Sequence, residues 1–385
     1  MTDDDSQYHL LRHEIDTRTA NAFPASETGL EIRILKQIFT PLEAQIAIHL
    51  SAFPENINRI HKRVTKNGID ISIHELEELL DGLVRKGGII YEKLLFKKPK
   101  QKMYGLLQFV IGIYEMQVDK LTKELAADTE QYLHDTFVHT FQSSKDHKQM
   151  RTIPVNKSIA VDRYVANYDN IKEIIEKKTG PIVILNCVCK ESKDLLEDPC
   201  KLGDTRNCCI TFDYAAVGSL DLFPSAREIS KTELLELLDE YQDLGFVLQP
   251  ENCISPKFLC VCCGCCCGVL SNYKTTAHPA DSWVSNYYSQ VDPKMCTGCE
   301  ICVKRCQMEA ISLVNKKATV DLTRCFGCGN CVLKCTPNAI TLHKKDKITK
   351  PSRFHKGLYL DFFRKKRGFW GVLKMLGLYL LGKKV

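Results

Sequence analysis

Residues 291–313, VDPKMCTGCEICVKRCQMEAISL, recur as VDLTRCFGCGNCVLKCTPNAITL at 320–342, an offset of 29 positions. Val, Asp, all four cysteines, one glycine, Val, Ala, Ile and Leu repeat in place. Each copy spaces its cysteines C-x2-C-x2-C-x3-C. A chain with this duplication must gather eight thiols in two copies of one loop. The start, MTDDDSQ, lacks the apolar stretch of a secretory signal, and no run of about 18 apolar residues follows. The expected setting is a reducing cytoplasm, where thiol clusters hold metal more often than they form disulfides.

That spacing, twice, is the bacterial ferredoxin pattern for two 4Fe–4S clusters. A cubane needs four thiolates converging from different directions. The Cys-x-x-Cys loops wrap one side, and Gly298, Gly327 and Gly329 let the backbone come close. The fourth cysteine of each run ligates the other cluster. Cys296, Cys299, Cys302 and Cys335 are therefore expected to hold one cluster, and Cys325, Cys328, Cys331 and Cys306 the other. The spacing of the fourth cysteine and the repeat favour cubanes over a pair of zinc knuckles. The proline that usually follows the fourth cysteine is Gln307 in the first copy; in the second, Thr336 intervenes before Pro337.

Twelve of the 20 cysteines remain, all between 187 and 267. The run PIVILNCVC (181–189) reads as a buried strand ending in Cys187 and Cys189, which would share a face at i and i+2. Cys200, Cys208 and Cys209 follow in a loop. SKTE at 230–233 opens an amphipathic helix that stops near Gly245. FLCVCCGCCCGVL (258–270) then places six cysteines within eight residues. Neighbours on a strand alternate faces and on a helix diverge by about 100°, so two or three at most can ligate one centre. The others would pack as small apolar residues or reach a second centre. The candidate third site comprises Cys187, Cys189, Cys200, Cys209, Cys260, Cys262 and Cys263, for an iron–sulfur cluster or zinc.

The N-terminal third carries helical periodicity over 30–51, with Thr40 as N-cap and Pro41 in the first turn. INRIHKRVTKNG and ISIHELEELLDGLVRKGG read as two further helices, followed by two strands around a Lys/Pro turn. Helices followed by a hairpin with a basic tip (Lys97, Lys98, Lys100, Lys102) form a winged-helix pattern. Its recognition helix would present Glu75, Glu77, Glu78 and Asp81 to phosphates, which argues against DNA as a partner. FVIGIYEMQVDKLTKELAADTEQYLHDTF (109–137) reads as a long helical arm.

Taken together, ILNCVCK, the later CCITF, GFVLQPEN, FLCVCCGCCCGVL and VSNYYSQVDPKMCTGC resemble a family of 4Fe–4S dicluster ferredoxin-like proteins of anaerobic bacteria and archaea. The likeness spans about residues 28–343. Where that family has Cys-Ile-Cys-Arg this chain has Cys187-Val188-Cys189-Lys190, and its Cys-Leu-x-Phe matches Cys209-Ile210-Thr211-Phe212. The resemblance implies iron–sulfur electron transfer, with Cys209 rather than Cys208 as ligand. The Cys-Cys-Gly at 262–264 is also similar to heterodisulfide-reductase domains, with different flanking spacing.

The net charge of +6 is a property of the tail: residues 344–385 hold thirteen Lys/Arg against two Asp, leaving the remainder acidic. Residues 353–385 interleave aromatic, aliphatic and basic residues, a pattern for an anionic membrane surface or for docking on protein. The expected fold class is α+β. Its parts are a disordered 1–27, a winged-helix-like 28–120, a helical connector 121–180, a cysteine-rich α/β domain 181–285, a ferredoxin module 286–345 and a basic tail 346–385. The expected role is one-electron relay with a redox partner protein, cytoplasmic or at the membrane periphery. The alternatives are a redox-sensing regulator, a reductase using the middle cysteines, and a scaffold subunit of a larger oxidoreductase.

Overall fold

The computed structural model describes residues 5–94, 101–139, 148–155 and 166–385. Lys97, Lys98 and Lys100 of the basic turn lie outside the described residues. The chain divides into two compact units, Met1–Phe141 with Tyr359–Val385, and Gln142–Leu358.

The first unit opens with helix α1 (Ser6–Arg18), where the sequence reads as disordered. Tyr8, Leu11 and Ile15 bury one stripe at helical spacing, and Arg12 and Arg18 pair with Asp16 and Glu14 one turn away. The acidic leader masks this stripe in the sequence. Helices α2 (Leu30–Ile38) and α3 (Pro41–Ala47) follow. Thr40 and Glu43 form a capping box ahead of α3. Strand β1 (Glu55–Asn56), helices α4 (Ile57–Lys66) and α5 (Ile73–Lys86), and strands β2 (Ile89–Leu94) and β3 (Gln101–Leu106) complete an antiparallel sheet of order β1-β3-β2. Ser72 caps α5 with Glu75, and Gly87 ends it in the left-handed region. On α5, Asp81 and Glu77 pair with Lys102 of β3.

The expected arm over 109–137 is not one helix. The backbone leaves helical geometry at Val110–Gly112, Asp119 adopts φ +66°, and Thr122 caps a new helix, α6 (Lys123–Tyr132). Asp128 of α6 accepts from Arg33 and Gln37, and Tyr132 donates to the Pro24 carbonyl, so the segment folds back onto α2.

Among the described residues of the second unit, a 3-10 turn (Asn167–Asp169) leads into α7 (Ile171–Glu176) and β4 (Ile182–Asn186). There follow α8 (Val188–Leu195), β5 (Asn207–Phe212), α9 (Tyr214–Leu222), β6 (Arg227–Ile229), α10 (Lys231–Leu244), β7 (Val247–Pro250), β8 (Phe258–Cys262) and α11 (Leu270–Lys274). The strands form one sheet of order β6-β4-β5-β8-β7. Every ladder in it is antiparallel, so this segment layers helices on an antiparallel sheet rather than alternating them with parallel strands as the expected α/β domain would. Ile182, Ile184, Ile210, Phe212, Leu248, Leu259 and Val261 of the sheet pack on Ile174 of α7 and Leu234 and Leu238 of α10.

The repeated segment contributes β9 (Tyr287–Val291), α12 (Ile301–Arg305), β10 (Ile311–Val314), β11 (Lys317–Val320), α13 (Asn330–Leu333) and β12 (Ile340–Lys344). β9 pairs with β12 and β10 with β11. The last helix, α14 (His355–Leu380), kinks at Gly368 and belongs to the first unit from Tyr359 onward. There Phe363, Met375 and Val385 are buried against Ala52 and Phe53. Phe369, Trp370, Leu380 and Leu381 face outward. Among the described residues no helix is long and apolar enough to cross a membrane.

Candidate metal centres

The 29-residue period of the sequence is also a period of the backbone. Left-handed residues recur at Gly298 and Gly327, Glu300 and Gly329, and Glu309 and Asn338. Each left-handed turn leads a cysteine loop into a short helix, α12 or α13. A Cβ on Gly298 would lie 2.4 Å from the Lys316 carbonyl oxygen, and one on Gly327 2.1 Å from that of Tyr287. Only glycine permits these approaches.

The two halves exchange a cysteine. Cys296, Cys299, Cys302 and Cys335 line one cavity with Leu313, Ala318 and Ile340. Cys306 stands with Cys325, Cys328 and Cys331 of the other repeat, close enough for Cys328 and Cys331 to feel the charge of Cys306 and Cys325. Backbone N–H groups donate to sulfur in both sets: Ala318 to Cys296 Sγ at 3.3 Å and Ala310 to Cys306 Sγ at 3.2 Å. The amides of Ala318 and Gly298 hold Cys296 below the ordinary thiol range. Burial pushes Cys306, Cys331 and Cys328 up, Cys328 to about 12. Thiolates in such surroundings are stable when a metal centre neutralises them. Four thiols around a cavity, with amides aimed at sulfur and glycines where the backbone closes in, fit a cubane.

Residues 295–340 match the family of 4Fe-4S dicluster domains. This segment thus has the capacity to bind iron–sulfur clusters and to transfer electrons. No curated protein and no solved structure matches the chain.

The cysteines before the dicluster segment separate into two sets. The first is compact. Cys200, Cys263, Cys265 and Cys266 place all four Sγ atoms within 4.8 Å of one another. Cys265 is 3.3 Å from Cys263 and 3.7 Å from Cys266, and Cys200 is 3.7 Å from Cys263. Hydrogen bonds from neighbouring thiols lower Cys200 to about 6 and Cys265 further, while Cys263 and Cys266 are pushed up by the same contacts.

The second set is a row of hydrogen-bonded thiols: Cys208 with Cys187, Cys187 with Cys189, Cys189 with Cys267, Cys267 with Cys262, and Cys262 with Cys260. Hydrogen bonds from the Cys189 and Cys208 sulfhydryls, then the amides of Lys190 and Cys189, lower the Cys187 pKa against the effect of burial. The strand ends one residue too early for the expected i, i+2 grip. Asn186 closes β4, Cys187 is the N-cap of α8, and Cys189 lies in its first turn. Cys187 and Cys189 therefore meet at the start of a helix instead of on a shared strand face.

The seven-residue candidate site is therefore not one centre. Cys200 and Cys263 belong to the compact set; Cys187, Cys189, Cys260 and Cys262 belong to the row. Cys209 sits directly across the β5–β8 ladder from Cys260, and it is Cys208 that reaches Cys187. Cys265, Cys266 and Cys267 fall outside the seven candidates, yet they join these sets. Their signal is the end of β8 at Cys262, after which the chain turns and neighbouring thiols converge. Cys253 stands apart, donating to Glu251.

Lys190 lies among both sets and is 1 % exposed. Its ammonium donates to the Thr205 carbonyl at 2.6 Å and stands 4.1 Å over the Phe246 ring. Burial works against the charge, but Cys208, Cys200, Cys263 and Cys187 outweigh it and raise its pKa.

The turn of the compact set also meets the dicluster segment. The Gly264 N–H donates to Gln307 Oε1 at 2.8 Å, and a Cβ on Gly264 would lie 2.1 Å from the Gln307 carbonyl oxygen. Gln307 occupies the position where the repeat pattern usually has proline, directly after Cys306. Asn330, one residue before Cys331, donates to the Gly245 and Phe246 carbonyls.

Proposed function

We propose that the protein is an electron carrier that holds two 4Fe–4S clusters and relays electrons to or from a partner oxidoreductase. The exchanged cysteine carries this reading: Cys335 joins Cys296, Cys299 and Cys302 around one cavity, and Cys306 joins the other three. When bound, each cluster would accept and release one electron. The protein's part is to supply thiolates, exclude water and aim amides. The N–H groups of Ala318 and Ala310 spread charge away from Cys296 and Cys306, which favours the reduced state.

Cys299 is the exposed thiol of the eight, and Met295 and Ile301 beside it are also exposed. This is the surface we assign to the redox partner, because electrons leave where a centre comes closest to solvent. The helices and three-stranded sheet of the first unit serve as a winged-helix-like docking module. Glu75, Glu77, Glu78 and Asp81 support a protein partner over DNA, as does the engagement of Lys102 with Glu77 and Asp81.

The test is iron and acid-labile sulfide analysis of anaerobically purified protein, with electron paramagnetic resonance after reduction. About eight irons per chain are expected, falling by about four in Cys335→Ser and in Cys306→Ser. About four irons in the unaltered chain, or zinc in place of iron, would overturn the reading.

A further inference from the structure

We infer that Cys200, Cys263, Cys265 and Cys266 form a binding site for one tetrahedral metal ion of the zinc class, distinct in kind from the two clusters. The spacing decides the nuclearity. Zinc bound at about 2.3 Å to four sulfurs sets those sulfurs about 3.8 Å apart. Here the close pairs are 3.3, 3.7, 3.7 and 3.9 Å apart. A cubane keeps an Fe4S4 body between its ligands and needs them farther apart. The dicluster cysteines provide the comparison within the same molecule. Cys296, Cys299, Cys302 and Cys335 ring a cavity, and among the described residues no dicluster set draws all its sulfurs within 4.8 Å of one another.

The surroundings fit a charged tetrathiolate. Four thiolates and a divalent ion carry a net −2. The backbone N–H of Leu202 donates to Cys200, and that of Lys201 to Cys265. Such donors orient ligands and spread their charge. Lys190 supplies a buried positive charge close to Cys200 and Cys263. Among the described residues no carboxylate pairs with it, and a buried ammonium is costly without a counter-charge. Metal-bound Cys200 and Cys263 would supply part of that counter-charge, beside Cys208 and Cys187 of the thiol row.

The connectivity gives the site a purpose. Cys200 lies in the stretch between α8 and β5, where Glu197 and Gly203 adopt positive φ. The other three ligands lie in the turn after β8. One ion would tie this stretch to the turn and fix Gly264 against Gln307, the residue that follows Cys306. The centre is thus a structural clip at the place where the cysteine-rich sheet meets the dicluster segment.

The experiment is elemental analysis of the full chain purified without oxygen from zinc-supplemented cells. One zinc per chain is expected beside the iron. Cys265→Ser and Cys200→Ser lose the zinc and keep their iron, whereas Cys262→Ser, altered in the thiol row, keeps both. Cobalt(II) in place of zinc adds thiolate-to-metal charge-transfer bands and red d–d bands of a tetrahedral site, absent in Cys265→Ser. Cys266→His, which preserves four ligands, retains the metal and guards against a serine variant that fails to fold. Iron falling by about four with Cys265→Ser would overturn the proposal in favour of a further cluster. Zinc absent from the unaltered chain, with iron unchanged in the variants, would overturn it in favour of metal-free thiols. Iron reports on the two clusters and zinc on this site, so the two readings fail separately.

Discussion

Lys148 is 2 % exposed, donates to the Tyr273 hydroxyl and lies 5.2 Å from the centre of that ring. Burial lowers its pKa to about 7. An unfolded lysine titrates near ~10.4, so between about 7 and ~10.4 the unfolded chain binds the extra proton. Stability of the second unit therefore rises with pH across that window, and the cost of the buried charge is at its greatest below it. Lys148→Met removes the ammonium and is expected to flatten the rise, raising the melting temperature at pH 6.5 more than at pH 9.5. The difference corresponds to on the order of 1–3 kcal/mol after relaxation around the buried group. Equal pH slopes in the two proteins would show that Lys148 does not carry the dependence.

Among elements, the C-terminal helix offers the sharpest test. Phe363 is 4 % exposed and meets Phe53 edge-on at 5.4 Å. Phe363→Ala should cost the first unit about 3 kcal/mol, read as a lower midpoint in its denaturant unfolding, with iron content unchanged. An unchanged midpoint would mean that the helix is not part of that core. From sequence, the interleaved basic and aromatic residues serve membrane and protein docking equally; burial of Phe363 and Met375 depends on Ala52 and Phe53, some 300 positions away. Features fixed by local hydrogen bonds are legible. Thr40 with Glu43 and Ser72 with Glu75 satisfy helix N-termini within three residues, and the capping pattern is visible as such. The dicluster loops are legible for a similar reason, since each left-handed turn recurs with its cysteines. The division of the other cysteines is not. Cys262 and Cys263 are adjacent, yet they join different sets as β8 ends between them and alternation sends them apart. Cys200 meets Cys263 across 63 positions, a contact that strand order sets and spacing does not reveal.

At the scale of the whole molecule, the chemistry is confined to one unit. All 20 cysteines lie between 187 and 335, within Gln142–Leu358, and the other unit has none. Ligands that would hold metal also make up much of the second unit's interior: Cys296, Cys302 and Cys331 are buried with Ile311 and Ile340, and Cys263 and Cys266 with Val261 and Leu259. Without metal, buried thiols such as Cys296 and Cys302 would be left around an unfilled space. Metal binding there is therefore folding free energy. The first unit rests instead on apolar helix packing and on pairs such as Arg63–Glu55 and Arg33–Asp128, to which metal contributes nothing. Scanning calorimetry of the anaerobic protein should then resolve two transitions that respond differently to a chelator with reductant. The transition of the second unit should fall by about 10 °C or more, as expected for losing several kcal/mol from a domain of this size. The transition of the first unit should stay within about 2 °C of its original position. Both transitions falling together would show that the units unfold as one. Neither moving would show that the thiols hold the second unit without metal.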